Sequence, residues 1–489
     1  MLRFPSLNKQ AISVFGLLCS FIILTGCTMN KATGKRQLTL ISEQQEIAMG
    51  KDYDKNVVAQ FGLYPDEELQ TYVNDIGQRM AAASERPYLS WEFKVLDDDT
   101  VNAFAVPGGY IYLTRGILAH FNSEAQLATV LGHEIGHVTA RHSVEQMSRA
   151  QLAQIGLGVA MVTSEEFRKY ASLAQAGIGV MFLKFSRDDE SQSDDLGLRY
   201  LLRTEYDPRE APLVFEMLDR QSAVKGHARL PEWQATHPSP DRRAAKLTEK
   251  IKALPPEQLK GTINRDEFLA HLENVNFGKD PRQGYHVGNS FYHPDMAFRM
   301  DFPEDWKIIN QRQVVAGISP KEDAFVLLKL APGKSSQEAE TNFFAQEGIE
   351  KGKQWRKGFH QFQVTPKADA AGNTGTPIRG SVGFVEHRDL IFQLTCYTSA
   401  DNWQAYERPM QRSLPSFQTL REKRYLNVYP KKIEIVKLPR AMNLEQFNKK
   451  YPSSINLDEL AVINGVESKT ILDKGTKLKR IVGEDPPKN

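Results

Sequence analysis

The sequence predicts an α+β chain in three parts: a mainly helical domain with a small β-sheet, an α+β domain, and a small βααβ module. Three observations lead there. At 489 residues the chain exceeds what one core usually holds, so roughly two to four domains are expected. From Ser42 to about Leu254 apolar residues recur mostly at helical spacing, with one extended interruption. From about Tyr285 onward, short β-rich runs separated by turns take over. The expected boundaries are 1–26 for a signal segment, 27–256 for the helical domain, 257–284 for a linker, 285–422 for the α+β domain, 423–432 for a basic linker and 433–483 for the last module.

Hydrophobic residues make up 41% of the chain and charged residues 25%, the balance of a folded protein. Lysine and arginine number 62 against 60 acidic residues, a net charge of +2. Arg3 and Lys9 are the only charges before Cys27, so the remainder has zero net charge. That balance argues against nucleic acid as a partner.

The N-terminus joins Arg3 and Lys9 to an apolar stretch of about 14 residues, Ala11 to Leu24, too short for a comfortable membrane span. It reads as a secretory signal, with an uncleaved anchor as the alternative. Leu24-Thr25-Gly26-Cys27 resembles a bacterial lipobox, which implies that Cys27 is lipidated and becomes the first residue. Several acyl chains anchor stably where one does not, so Cys27 would tether the protein to a membrane. Thr28 stands where the enterobacterial sorting pattern has the Asp of inner-membrane retention, so the expected place is the periplasmic face of the outer membrane. With Cys19 in the signal and Cys27 lipidated, Cys396 is alone, so no intrachain disulfide is expected; it lies in an apolar strand-like run as a buried thiol.

In the helical domain, Trp91–Leu96 and Val101–Thr114 read as strands, with a turn at Pro107-Gly108-Gly109. Ser123 and Gln126 have capping-box spacing ahead of an apolar face through Val138. Ser186 and Asp189 mark a second helix start, running towards Leu202. Between them, Ile155–Val162 and Ala171–Phe185 are apolar and glycine-dotted, either a buried helical pair or a lipid-contacting surface.

His133-Glu134-Ile135-Gly136-His137 is an HExxH motif inside the first of these helices. Four residues advance a helix by about 400°, so His133 and His137 lie about 40° apart, one turn above the other, and can bind one ion. Glu134 points round the helix, where it can act on a water rather than on the metal. A zinc site for hydrolysis needs a third protein ligand and an open fourth position. His142 follows His137 by five residues, and on a continuing helix it lies about 140° away, so it reads as a packing residue or as one supporting a ligand from behind, not as a ligand. Glu190 is the better candidate. Glu190 and Asp194 share a helical face one turn apart, a like-charge pairing that costs roughly a few tenths of a kcal/mol unless a cation or imidazole faces it. Glu190 on the metal, with Asp194 orienting a ligand histidine, removes that repulsion.

The ordered series Asn102-Ala103-Phe104-Ala105-Val106-Pro107-Gly108-Gly109, HEIGH, Ser186-Arg187 with Glu190 and Asp194, and Thr236-His237-Pro238 with Arg243 resembles the gluzincin family of HtpX-like, CaaX prenyl protease and BepA-like zinc metallopeptidases. The likeness spans roughly Lys35 to Leu247, with Ser193 where the family usually has Ala. It implies a zincin-type domain that holds one Zn2+ per chain by His133, His137 and Glu190, with Glu134 as general base. Asn102, Ala103, Phe104 and Ala105 would pair with an extended substrate. His237 would approach the zinc as a reversible fourth ligand or bind the oxyanion, and Arg243 would steady that loop or the site's carboxylates.

Towards the C-terminus, Phe298–Phe302, Phe325–Leu330, Gly380–Val385 and Leu390–Tyr397 favour strands, while 339–351 and 402–414 favour helices. Met300-Asp301-Phe302-Pro303-Glu304-Asp305-Trp306 and Ser413-Leu414-Pro415-Ser416-Phe417 resemble a PsbP-like domain, which implies an accessory binding role. The last segment resembles a LysM module, with Ala441-Met442-Asn443-Leu444 in place of the usual Gly-Asp-Thr-Leu. That resemblance implies a peptidoglycan contact through 433–483. Together these features predict a membrane-tethered periplasmic zinc endopeptidase acting on proteins or peptides of the cell envelope. The competing expectation is a cell-wall-binding or chaperone-like lipoprotein with a silenced zinc site.

Overall fold

The computed structural model describes residues 27–157, 185–224, 233, 236–237, 240–366 and 375–488. The signal segment, Pro238 and most of the two apolar stretches, Ile155–Val162 and Ala171–Phe185, lie outside the described residues. Among the described residues no helix is long and apolar enough to cross a membrane. The chain forms two compact units. The first ends at Gly278 and resumes over Lys432–Val482; the second takes Lys279–Lys431 and the tail from Gly483.

The first unit begins with a hairpin in which β1 (Cys27–Met29) pairs antiparallel with β2 (Arg36–Leu38). Ser42 and Asp66 then accept hydrogen bonds from the third backbone amide beyond them and start α1 (Glu43–Phe61) and α2 (Glu67–Ala82). β3 (Glu92–Leu96), β4 (Ala103–Val106) and β5 (Tyr110–Thr114) form a sheet in the order β3-β5-β4, with β4 antiparallel to β5 and at the edge. The turn between β4 and β5 needs its glycines, because Gly108 and Gly109 have φ of 88° and 105°.

α3 (Glu124–Thr139) follows, and every residue of it is buried. Only half of the expected capping box forms. Ser123 Oγ accepts from the Gln126 amide, whereas Gln126 Oε1 takes the Asn122 amide at 2.8 Å instead of that of Ser123. α3 stops at Ala140, Arg141 turns left-handed with φ 57°, and His142 starts α4 (His142–Leu157). α5 (Arg187–Arg203) has the complete Ser186–Asp189 box, and α6 (Glu210–Val224) and α7 (Pro240–Lys252) complete the bundle.

Two stretches differ from the linkers expected of them. Within 257–284, α8 (Arg265–His271) and β6 (Asn276–Phe277) belong to the first unit, because Phe268, Leu269, Leu272 and Val275 recur at helical spacing and are buried in its core. The basic stretch 423–432 contains a short helix, Lys423–Leu426, and the start of β7 (Lys431–Lys437). β7, α9 (Leu444–Lys450), α10 (Leu457–Asn464) and β8 (Lys477–Val482) have the expected βααβ order. They do not stand apart: β8, β7 and β6 form one sheet, and Leu444, Phe447, Leu460 and Ile463 share the hydrophobic core of α3 and α6. Lys479 is fully buried and its Nζ donates to the carbonyls of Ala119 at 2.8 Å and Phe121 at 2.6 Å. A segment this short buries little apolar surface by itself, and here its apolar side chains complete a neighbouring core.

The second unit holds a seven-stranded antiparallel sheet in the order Lys307–Gln311, Val314–Ile318, Ala324–Leu330, Leu390–Ser399, Ile378–His387, Phe359–Val364, Ile349–Arg356. The helix expected over 339–351 runs Ser336–Phe344 and gives way to a strand at Ile349. It is capped at Ala345, the turn before the strand takes a left-handed residue at Gly348 with φ 84°, and the lysine-bearing strand that follows sits at the sheet edge, where charge discourages further pairing. Cys396 is buried on a central strand, and burial pushes its thiol up to about 12.

A chain ending at Lys431 is expected to lose its cooperative thermal transition and to aggregate, because the removed residues cover the core beside α3 and α6. A circular-dichroism melt compared with the full chain checks it.

Candidate metal centre

The centre is built where α3 crosses α5. Their backbones approach closely because three glycines line the contact. A Cβ on Gly197 would stand 3.1 Å from the His133 nitrogen, and one on Gly136 would stand 3.0 Å from the Ser193 carbonyl. Gly132 faces Gly197 Cα at 3.3 Å from an ideal Cβ. Ser193, fully buried opposite Gly136, keeps this seam small.

This crossing brings His133, His137, Glu190 and His237 together, one ligand atom from each lying within 4.8 Å of the others, all four buried. The Nε2 atoms of His133 and His137 are 3.0 Å apart. Glu190 Oε1 lies 3.4 Å from His137 Nε2 and 2.8 Å from His237 Nδ1, and Glu190 Oε2 lies 3.7 Å from His133 Nε2. His237 Nδ1 is 3.3 Å from His133 Nε2. Glu134 is buried beside them, its Oε1 without a hydrogen-bond partner and 3.7 Å from His237 Nε2.

The residues fit a metal. Two nitrogens bound to one tetrahedral zinc at about 2.0–2.1 Å lie roughly 3.3 Å apart, close to the separation between these imidazoles. Lone pairs converging in a dry site repel unless a cation lies among them. Burial, with Arg243 nearby, pushes His133 down to about 3 and so keeps it neutral, as a ligand must be. Burial raises Glu190, but His237 and Arg243 outweigh it and hold the carboxyl well below its usual value. Glu134 is pushed up to about 7, chiefly by burial.

Around the donors, Asp194 Oδ1 stands 3.1 Å from His133 Nδ1, leaving Nε2 to face the centre. Arg243 donates from Nε and Nη2 to Asp194 at 3.0 and 2.6 Å and pairs through Nη1 with Glu190 Oε2 at 2.6 Å. His142, brought back by the turn at Arg141, sets its Nδ1 3.0 Å from His137 Nδ1. Asn102 is buried just before β4, and Ala103, Phe104 and Ala105 lie on that edge strand, so they do not join the donors.

Residue-by-residue reading missed the aromatic walls. Trp233 stacks on His237 with centroids 4.6 Å apart, and Phe185 stacks on His137 at 4.0 Å. Trp233 could have been found, since it precedes His237 by one helical turn. Phe185 carried no local signal.

An HExxH helix crossed by a second helix that brings in a glutamate defines a zinc metallopeptidase domain. Residues 67–251 match Peptidase family M48, and this chain carries a domain of that family. Zinc is the metal on which its peptidases depend. The beta-barrel assembly-enhancing protease of Yersinia pestis is 31% identical over 237 residues, 47% of this chain and 48% of that protein. That of Escherichia coli K12 is 30% identical over 243 residues, 48% of this chain and 49% of that protein. Mitochondrial metalloendopeptidase OMA1 of Schizosaccharomyces pombe is 33% identical over 222 residues, 44% of this chain and 64% of that protein. The chain spans about half the length of the first two. Among solved structures, cyanobacterial PsbP from Synechocystis aligns with 28% of this chain and 95% of its own at 12% identity, with a TM-score of 0.19. At that score, the fold of the second unit stands on its own strands.

Gly197→Val should force α3 and α5 apart, destabilise the protein by about 1–3 kcal/mol and abolish zinc retention, read by thermal melting and metal analysis. Asp194→Asn should weaken zinc affinity by roughly 10–100-fold without unfolding the protein, read by competition with a chelating dye.

Proposed function

We propose that this chain is a membrane-tethered zinc endopeptidase that cleaves extended or unfolded segments of cell-envelope proteins from the periplasmic face, at the outer membrane. The observation that carries the reading is the convergence of His133, His137 and Glu190 beside a buried Glu134 with an unpartnered oxygen. The relatives named as beta-barrel assembly-enhancing proteases support a role in envelope protein quality control. The tether would be Cys27, which the lipobox resemblance makes the lipidated residue.

In this mechanism His133, His137 and Glu190 would hold the zinc. Its contribution is Lewis acidity, which brings a water's pKa towards neutrality and polarises a carbonyl. Glu134 acts as general base, taking the proton from the attacking water and handing it to the leaving amine. Asp194 fixes His133 in the tautomer whose Nε2 faces the centre, and Arg243 pairs with both Asp194 and Glu190. The edge of β4, which pairs with no further strand among the described residues, aligns an extended peptide by main-chain hydrogen bonds.

His237 is either a reversible fourth donor or a partner of the tetrahedral oxyanion. Its position among the ligands also favours a second reading, a chaperone-like or cell-wall-binding lipoprotein whose four-donor site is closed and silent. That reading includes a peptidoglycan contact through 433–483.

Glu134→Gln should keep stoichiometric zinc and lose cleavage of an unfolded protein, and Glu190→Ala should lose the zinc; wild-type cleavage by Glu134→Gln sinks the mechanism. His237→Ala should raise cleavage if the side chain closes the site and lower it by roughly 10²–10³-fold if it binds the oxyanion. Retention of the full but proteolytically inert chain on peptidoglycan favours the second reading.

A further inference from the structure

The hairpin that follows Cys27 is a compact basic surface fixed to the metal-binding helix. Between Cys27 and Ser42 the chain carries Lys31, Lys35 and Arg36 and no acidic residue, although the whole chain after residue 26 is electrically balanced. All three cations are exposed, and none makes an ion pair among the described residues. Met29, paired across the hairpin with Arg36, is 67% exposed. Arg199 of α5 extends the basic face: its guanidinium reaches the Ala32 carbonyl at 3.5 Å and shares Glu85 with Arg203. An exposed apolar side chain on the same short hairpin as three exposed cations is the chemistry of contact with an anionic lipid surface.

The other face of the hairpin is not free. Asn30 is buried, and its Nδ2 donates to the carbonyls of Thr139 at 3.2 Å and Ala140 at 3.0 Å, at the C-terminal end of α3. Gln37 Nε2 donates to Ala140 as well. Asn30 Oδ1 accepts the Ala32 amide at 2.8 Å, which shapes the turn carrying Lys31. Three residues of chain span at most roughly 11 Å, so Cys27 lies within roughly 25 Å of His137 along this path. No flexible linker intervenes.

We propose that the hairpin Cys27–Leu38 is a docking surface for anionic phospholipid headgroups, which holds the end of α3 and hence the metal centre against the bilayer. The idea rests on the reading of Cys27 as the lipid anchor and sharpens it. A lipid on a long tether would let the peptidase range through the compartment, whereas this hairpin confines it to chains emerging at the membrane surface. The three cations add an electrostatic attraction that the acyl chains lack, and salt screens it.

The test uses the full chain from residue 27 with Cys27→Ser, which cannot carry lipid, and sedimentation with vesicles. It should bind phosphatidylglycerol–phosphatidylcholine vesicles, release as salt rises, and ignore pure phosphatidylcholine. Lys31→Gln, Lys35→Gln and Arg36→Gln together should weaken partition on the order of a hundredfold, about a factor of five per cation near an anionic surface, with an unchanged melting temperature. Equal partition of variant and parent, or equal binding to both vesicle types, overturns the proposal. Mass spectrometry of the N-terminal peptide from membranes tests the anchor separately: an unmodified Cys27 defeats the anchor reading, and with it the tethering of the metal centre by acyl chains.

Discussion

Gly132, Gly136 and Gly197 let α3 and α5 meet backbone to backbone, and that contact sets where every donor of the metal centre lies. Two glycines on α3 and one on α5 each cost about 1 kcal/mol of helix propensity relative to alanine. What they permit is an approach that a Cβ would push apart by a few tenths of an ångström, so that Glu190 on α5 comes within reach of His133 and His137 on α3. Complete burial of α3 offsets the loss of propensity and keeps the seam dry.

Dryness then decides the electrostatics. Glu190, Asp194 and Glu134 are three buried carboxyls close together, an arrangement that would be prohibitive if they were charged and unpaired. Arg243 compensates two of them, and it is itself seated over the rings of Phe215 and Trp233 at 4.4 and 4.8 Å. Glu134 is outside that pairing, and burial raises its pKa instead. Arg243, with His237 beside Glu190, thus separates the carboxyls into two kept ionised and one able to exchange a proton.

Both ends of α3 are held by distant parts of the chain. At its C-terminal end Asn30 and Gln37 satisfy carbonyls that the helix leaves open. Ahead of its N-terminus, Lys479 and Arg265 take the carbonyls of Ala119, Phe121 and Asn122. The helix that bears the chemistry is therefore positioned by both extremes of the described chain. Such contacts close long loops, and no local pattern announces them.

Much of the centre was legible in the sequence because its determinants are short-ranged. HExxH puts His133 and His137 on one face by helical geometry alone, and the Ser186–Asp189 box fixes where the helix bearing Glu190 begins. The β4–β5 turn was equally legible, since Gly108 and Gly109 are required there. The reading failed where burial is set from afar. Phe268 and Leu269 looked like linker and are core, the helix expected over 339–351 ends early at Phe344, and 433–483 completes a core it shares with α3 and α6. By itself, then, the sequence determined the metal-binding chemistry and the two helices that carry it. His237 was expected near the metal from the resemblance alone; only the tertiary structure decided that Trp233 and Phe185 wall the donors in, and that segments near both ends of the described residues hold α3 in place. Helical spacing acts within a turn or two, whereas closure of a core depends on which distant surfaces remain unburied.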